Sequence, residues 1–184
     1  EGSVTGIIGH TGSGKSTLVQ LLNGLLRPKS GKILLDGEDI WEKPKKIAAV
    51  RYRVGLVMQY PEYQLFDDTV RADIGFAPRN MGLSQEEIDA RVKEAAAFVS
   101  LDDSLLDQSP FSLSGGQKRR VAILRALVSD SDAVLMDEPF KGLDEDTRRL
   151  VIEQVKANLG GRLLMVITHD EDDAHLLGAD IIEL

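Results

Sequence analysis

Apolar and polar positions along the chain alternate between two rhythms. Val4 to Ile8 is a short apolar run that stops at Gly9. A glycine-rich turn follows, and then Leu18, Leu21, Leu22 and Leu25 recur at helical spacing until Pro28. The order is strand, loop, helix. Lys32 to Leu35 reads as another strand, Asp36-Gly37 as a tight turn, and Val54 to Met58 as a buried strand. Strand signals nearly vanish from Thr69 to Val128. There Ile88, Val92, Ala96 and Val99 keep a helical rhythm, and Gly116 to Val128 reads as a helix rich in Arg and apolar residues. Strand-like runs return at Ala133 to Met136 and Leu163 to Ile167, separated by an amphipathic helix carrying Ile152, Val155 and Leu159.

Strands separated by helices predict a parallel sheet covered on both faces, hence an α/β fold. The sheet core is expected at 1–59 and 131–184, split around an all-helical insert at about 60–130. A length of 184 residues fits one domain, and 42% hydrophobic with 28% charged residues excludes a disordered chain. Lys plus Arg total 22 against 30 Asp plus Glu, a net charge of −8. No nucleic-acid partner is therefore expected, and any phosphate must be held locally. With no cysteine, thiolate metal sites and Cys nucleophiles are excluded. Apolar runs such as Leu163 to Ile167 are far shorter than the ~20 residues that cross a bilayer. No signal-peptide pattern is present. The chain opens at Glu1 without Met and closes on Ile181-Ile182-Glu183-Leu184, which reads as a segment of something longer.

Gly9-His10-Thr11-Gly12-Ser13-Gly14-Lys15-Ser16-Thr17 satisfies G-x-x-x-x-G-K-[ST] between a predicted strand and a predicted helix. Such a loop winds tightly, so successive N–H groups face one concavity, and the helix behind it adds its positive end. A polyphosphate fits there, with Lys15 on the β- and γ-phosphates and the Ser16 hydroxyl on the bridging Mg²⁺. The competing reading is a glycine-rich turn that binds nothing. Ala133 to Met136 delivers Asp137 and Glu138 at a strand's C-terminal end, where open α/β sheets bind ligands. Strand alternation sends the pair to opposite sides: Asp137 to Mg²⁺, Glu138 to orient the attacking water and take its proton. Taken alone, the two could equally be a solvated strand end before Pro139.

Leu113-Ser114-Gly115-Gly116-Gln117 opens the Arg-rich helix, either as a second anion site or as a plain Ser N-cap. These elements, with Gln59 after its strand, Gly142-Leu143-Asp144 and His169 after a final strand, stand in the order found in the nucleotide-binding domains of ABC ATPases. Almost the whole chain resembles that family. The resemblance implies a P-loop NTPase (RecA-like) parallel-sheet core with an inserted all-helical ABC subdomain. It also implies cofactors ATP and Mg²⁺, and a nucleotide sandwiched between the glycine loop of one subunit and Ser114, Gly115, Gly116 and Gln117 of a second ATPase subunit. Gln59 would contact Mg²⁺ and the lytic water, His169 would sense the γ-phosphate, and Asp144 falls at the family's D-loop aspartate. His10 and His175 read as loop or surface residues outside the chemistry.

Gln59-Tyr60-Pro61-Glu62-Tyr63-Gln64-Leu65-Phe66, Asp73-Ile74-Gly75-Phe76, Asn80-Met81-Gly82-Leu83 and Ser109-Pro110-Phe111 look like the ATPase subunits of energy-coupling factor importers. That likeness implies hydrolysis coupled to uptake at the cytoplasmic face of the membrane. The stretch Gln59 to Phe66 would then touch a transmembrane subunit. Tyr60, Tyr63 and Phe66 also have a plainer reading, as plugs in the joint between the core and the insert. Leu124-Arg125-Ala126-Leu127 and Phe140-Lys141 depart from the importer pattern, and the family's adenine-stacking aromatic is expected upstream of Glu1. The alternatives are a soluble ABC ATPase not coupled to transport, a GTPase or small-molecule kinase, and a fragment that binds nucleotide without turnover. The first usually carries a long coiled-coil insert or two tandem units. The second lacks a Leu113 to Gln117 element and would need an Asn-Lys-x-Asp base reader, which does not occur.

Overall fold

The computed structural model describes residues 2–184; Glu1, the expected start of the core, lies outside them. Seven strands and eight α-helices follow one another: β1 (Val4–Ile8), α1 (Lys15–Leu22), β2 (Leu34–Leu35), β3 (Glu38–Asp39), α2 (Ile47–Arg53), β4 (Val54–Val57), α3 (Val70–Ile74), α4 (Phe76–Asn80), α5 (Gln85–Phe98), α6 (Gly115–Leu127), β5 (Ala133–Asp137), α7 (Glu145–Ala157), β6 (Leu163–Ile167), α8 (Glu171–Leu177) and β7 (Asp180–Glu183). Five strands form one sheet in the order β4-β5-β6-β1-β7, every neighbouring pair parallel. β2 and β3 make a separate hairpin across Asp36-Gly37, both residues at positive φ. Between β4 and β5 the described residues form helices and turns only.

Successive side chains of the central strands enter different layers. Val134 and Met136 of β5, with Leu164 and Val166 of β6, join a large cluster that continues into the helical insert through Val121, Leu124 and Ile74. Leu135 and Ile167 turn the other way and pack with Ile7, Val54 and Val19 of α1. A strand apolar at every position is what a sheet covered on both faces requires, so these runs lack polar alternation.

α1 ends at Leu22, short of the Leu25 that its rhythm reached for. Asn23 caps it and sends its buried amide to the carbonyl of Val54, and Gly24 takes φ 73°. Leu25 and Leu26 fold back onto the carbonyl of Gln20 and stay exposed. α7 likewise stops at Ala157, leaving Leu159 buried just past its end. α2 and β7 have no counterpart in the expected elements.

The insert is tied to the sheet by polar contacts as well as by apolar packing. Gln64 donates to the carbonyl of Leu56 and accepts from the N–H of Met58, each at 2.7 Å, continuing the pairing of β4 with a side chain. Arg125 of α6 donates to the carbonyl of Gln64, pairs with the fully buried Asp73 at 2.9 Å, and lies over the Phe66 ring at 5.0 Å. Burial pushes the Asp73 carboxyl up from its ordinary value, and Arg125 pulls it back. No helix among the described residues is long and apolar enough to cross a membrane.

Candidate nucleotide site at the sheet edge

Because β4, β5, β6 and β1 are parallel neighbours, their C-terminal ends share one edge of the sheet. The register sets Asp137 beside Ile167 and Ile167 beside Ile7, so the segments that follow these residues emerge together. They carry Gln59, Asp137 with Glu138, His169, and the loop from Gly9 to Thr17.

The loop is wound by its glycines, with Gly12 at φ 91° and Gly14 at φ 99°, values that L side chains avoid. Gly14 also occupies the N-cap of α1, which has no capping side chain and no acidic residue in its first turn. The positive end of α1 therefore faces the loop unneutralised. α5, α6 and α7 differ, since Ser84, Ser114 and Asp144 cap them. Lys15 folds back into the loop, its Nζ donating to the carbonyls of Gly9 (2.8 Å) and His10 (2.9 Å) and to Ser13 Oγ (3.4 Å). All three ammonium donors thus stay on the loop, where polyphosphate oxygens can take them over.

Asp137 ends β5 almost fully buried, and its Oδ1 has no hydrogen-bond partner. Burial pushes its carboxyl up from the ordinary value; the Ser16 hydroxyl opposes that shift, Glu138 adds to it and Lys15 opposes it. An orphaned buried carboxylate oxygen beside a hydroxyl fits a divalent oxygen-seeking cation, which would also remove the cost of the buried charge.

Alternation along the strand does not separate Glu138 from Asp137. Glu138 has left β5 and stands at φ 49°, in the left-handed region, with its N–H on the carbonyl of Ile167 at 2.9 Å. That conformation is uncommon for a residue with a side chain and costs of order 1–3 kcal/mol. It turns the carboxylate onto His169 Nδ1, at 2.7 and 2.8 Å from the two oxygens. An ionised carboxylate only accepts, so against Glu138 in that form Nδ1 is the donor of this contact. Arg148 frames this loop from α7 by pairing with Asp170 at 2.9 Å and Asp173 at 2.6 Å, and Thr168 donates to Asp173.

Ser114 and Gln117 are placed differently. Ser114 Oγ accepts from the N–H of Gln117 at 3.3 Å, and Gln117 Oε1 accepts from the N–H of Ser114 at 2.8 Å, a closed capping box. The N-cap reading is thus realised within the chain, and Gly115 stays exposed beside it. Gly116 faces Leu143, next to Asp144, which caps α7 through the N–H of Thr147. Tyr60 and Tyr63 pair edge to face and point outward, at 51% and 78% exposure, and Phe66 meets Phe76 edge to face at 4.8 Å beneath Arg125. Phe66 is itself 54% exposed, and both of these partners belong to the insert, so the plug reading gains no support from burial. His10 and His175 are exposed. Arg119, which joins the Arg-rich helix to the strand ends, and Arg125, which ties it to Gln64 and Asp73, drew no role from the sequence, because helical rhythm does not say where a long side chain reaches.

Residues 1–141 match the family described as ABC transporter. The energy-coupling factor transporter ATP-binding protein EcfA2 of Clostridium perfringens is 45% identical over 99% of this chain and 65% of its own length. EcfA2 of Caldanaerobacter subterraneus subsp. tengcongensis is 48% identical over 96% of this chain and 63% of its own. The chain thus spans less than two thirds of the curated relatives it matches. Among solved structures, the ATP-binding cassette MJ0796, a dimer in a post-hydrolysis state bound to ADP and Pi, superposes with TM-score 0.90 at 28% identity, covering 100% of this chain and 82% of that one. CbiO1 from Clostridium perfringens, part of the ABC transporter complex cbiONQ, gives TM-score 0.82 at 38% identity, over 99% of this chain and 73% of its own.

Proposed function

The chain belongs to the ABC transporter family, and from that premise we propose that it is the ATP-hydrolysing part of an energy-coupling factor-like uptake transporter, working at the cytoplasmic face of the membrane. The observation that carries this reading is the common sheet edge. Parallel strand ends put a phosphate-winding loop, an orphaned carboxylate oxygen and a carboxylate–imidazole pair side by side. The loop from Gly9 to Thr17 would wrap the triphosphate with its N–H groups and the uncapped end of α1. Lys15 would exchange the carbonyls of Gly9 and His10 for phosphate oxygens. Ser16, Asp137 and Gln59 would hold Mg²⁺, which neutralises charge on the transferred phosphoryl group. Glu138 would accept a proton from the attacking water, and His169 would hold the Glu138 carboxylate and read the γ-phosphate.

Ser114, Gly115, Gly116 and Gln117 would serve the nucleotide of a second ABC ATPase subunit, with Asp144 close to that contact. Their capping box uses the N–H groups of Ser114 and Gln117 and not those of Gly115 and Gly116. The exposed Tyr60 and Tyr63, within Gln59 to Phe66, would meet the transmembrane subunit. A cavity of about 330 Å³, lined by Tyr52, Gln64, Phe76, Met81 and Arg125, shares Gln64 with that stretch. Ser114→Arg tests the shared site. Mg·ATP affinity of the single subunit should stay within about twofold, while ATP-driven pairing is lost and hydrolysis falls at least roughly tenfold. Losing the cap should cost only ~1 kcal/mol of stability. Sedimentation velocity and phosphate release measure both effects, and intact pairing with wild-type turnover would overturn the assignment.

A further inference from the structure

Arg119 stands on α6 just beyond Gln117, and its guanidinium leaves the helix to bond two main-chain oxygens. Nη1 donates to the carbonyl of Glu138 at 3.0 Å and Nη2 to the carbonyl of Gln59 at 3.2 Å. Both acceptors lie just past the ends of adjacent strands, where the sheet ladder no longer holds the chain. Glu138 has most need of such support, because its left-handed backbone must be held against its own preference. Its N–H is fixed by Ile167, and Arg119 takes the other side of the residue. A guanidinium is a planar fork of fixed spacing, so one side chain sets the distance between the two carbonyls.

The neighbouring arginine reaches the opposite way. Arg120 donates to the carbonyls of Val99 and Ser100, both at 2.8 Å, and so binds α6 to its own helical insert. Arg119 is the crossing from that helix to the strand ends that bear Gln59 and Glu138.

We propose that Arg119 is a positioning residue that sets the Glu138 carboxylate relative to Gln59. It does so from the helix whose N-terminus carries Ser114 to Gln117, so displacement of that helix reaches the proposed base through one side chain. This inference rests on the function proposed above. It adds a mechanical link, internal to one subunit, between the surface offered to the second subunit and the group that activates water.

The test is steady-state ATP hydrolysis by the full-length protein carrying Arg119→Met or Arg119→Lys, each also combined with Glu138→Gln and followed in single turnover. Arg119→Met should lower kcat per folded molecule roughly tenfold to a hundredfold, with KM for ATP within about twofold. Arg119→Lys, whose ammonium reaches one carbonyl at a time, should fall between wild type and Met and stay folded. In the Glu138→Gln background, Arg119→Met should remove nothing further, because the group it positions no longer takes a proton. Unchanged kcat per folded molecule, a raised KM at constant kcat, or losses that multiply with Glu138→Gln would each overturn the inference. A wild-type protein that hydrolyses no ATP would instead overturn the proposed function, and the inference with it.

Discussion

Glu138→Gln is expected to lower ATP hydrolysis by at least a hundredfold while leaving Mg·ATP affinity within about threefold of wild type. General-base assistance contributes typically 10²–10⁴-fold, and the amide removes that contribution with almost no change of shape. Its oxygen still accepts from His169 Nδ1, which lies 2.7 Å from the present carboxylate, and the main-chain bonds to Ile167 and Arg119 are untouched. Glu138 is not among the groups that would grip phosphate, so binding should survive. The prehydrolysis complex should then accumulate as a stable pair of subunits. Phosphate release gives the rate and calorimetry the affinity; turnover near wild type would remove Glu138 from its assigned role.

Lys15→Ala should act on binding first. A charge-assisted hydrogen bond contributes about 1.5–3 kcal/mol, so Mg·ATP affinity should fall between roughly tenfold and 150-fold. Compensation from the rest of the molecule is not expected, because the net charge is −8 and the neighbours along the sheet edge are carboxylates. The loop should keep its path, since Gly12 and Gly14 set it through backbone angles that the lysine does not determine. Calorimetric titration checks the effect, and unchanged affinity would contradict the assignment of the loop to phosphate.

Strands β1, β4, β5 and β6 of the sheet were legible because parallel strands buried on both faces read as unbroken apolar runs, as in Val134, Leu135 and Met136. The glycine loop was legible because its backbone angles demand particular residues at particular spacings. β7 escaped notice because all four of its residues are exposed and no burial pattern marks it as a strand. Leu25 joined a rhythm that Asn23 and Gly24 end locally, and α2 has no buried residue to give it a face. Polar ties that hold the insert on the core were the least visible. Arg119 and Arg125 reach the carbonyls of Gln59 and Gln64 across 60 and 61 positions, Asp73 meets Arg125 only through the fold, and a long side chain's destination leaves no periodic trace. Glu138 shows the same limit. Strand alternation separated it from Asp137 on paper, whereas a left-handed turn separates them in the molecule.

The proposed function requires the glycine loop of one subunit and the Ser114 turn of another to close on the same triphosphate. Sedimentation velocity of the full-length protein during turnover, with its partner ATPase subunit where pairing needs one, tests this most directly. Hydrolysis should travel with the paired species, and specific activity should fall on dilution as pairs dissociate. Full-rate hydrolysis travelling with a strictly monomeric species, independent of concentration, would contradict the proposed function.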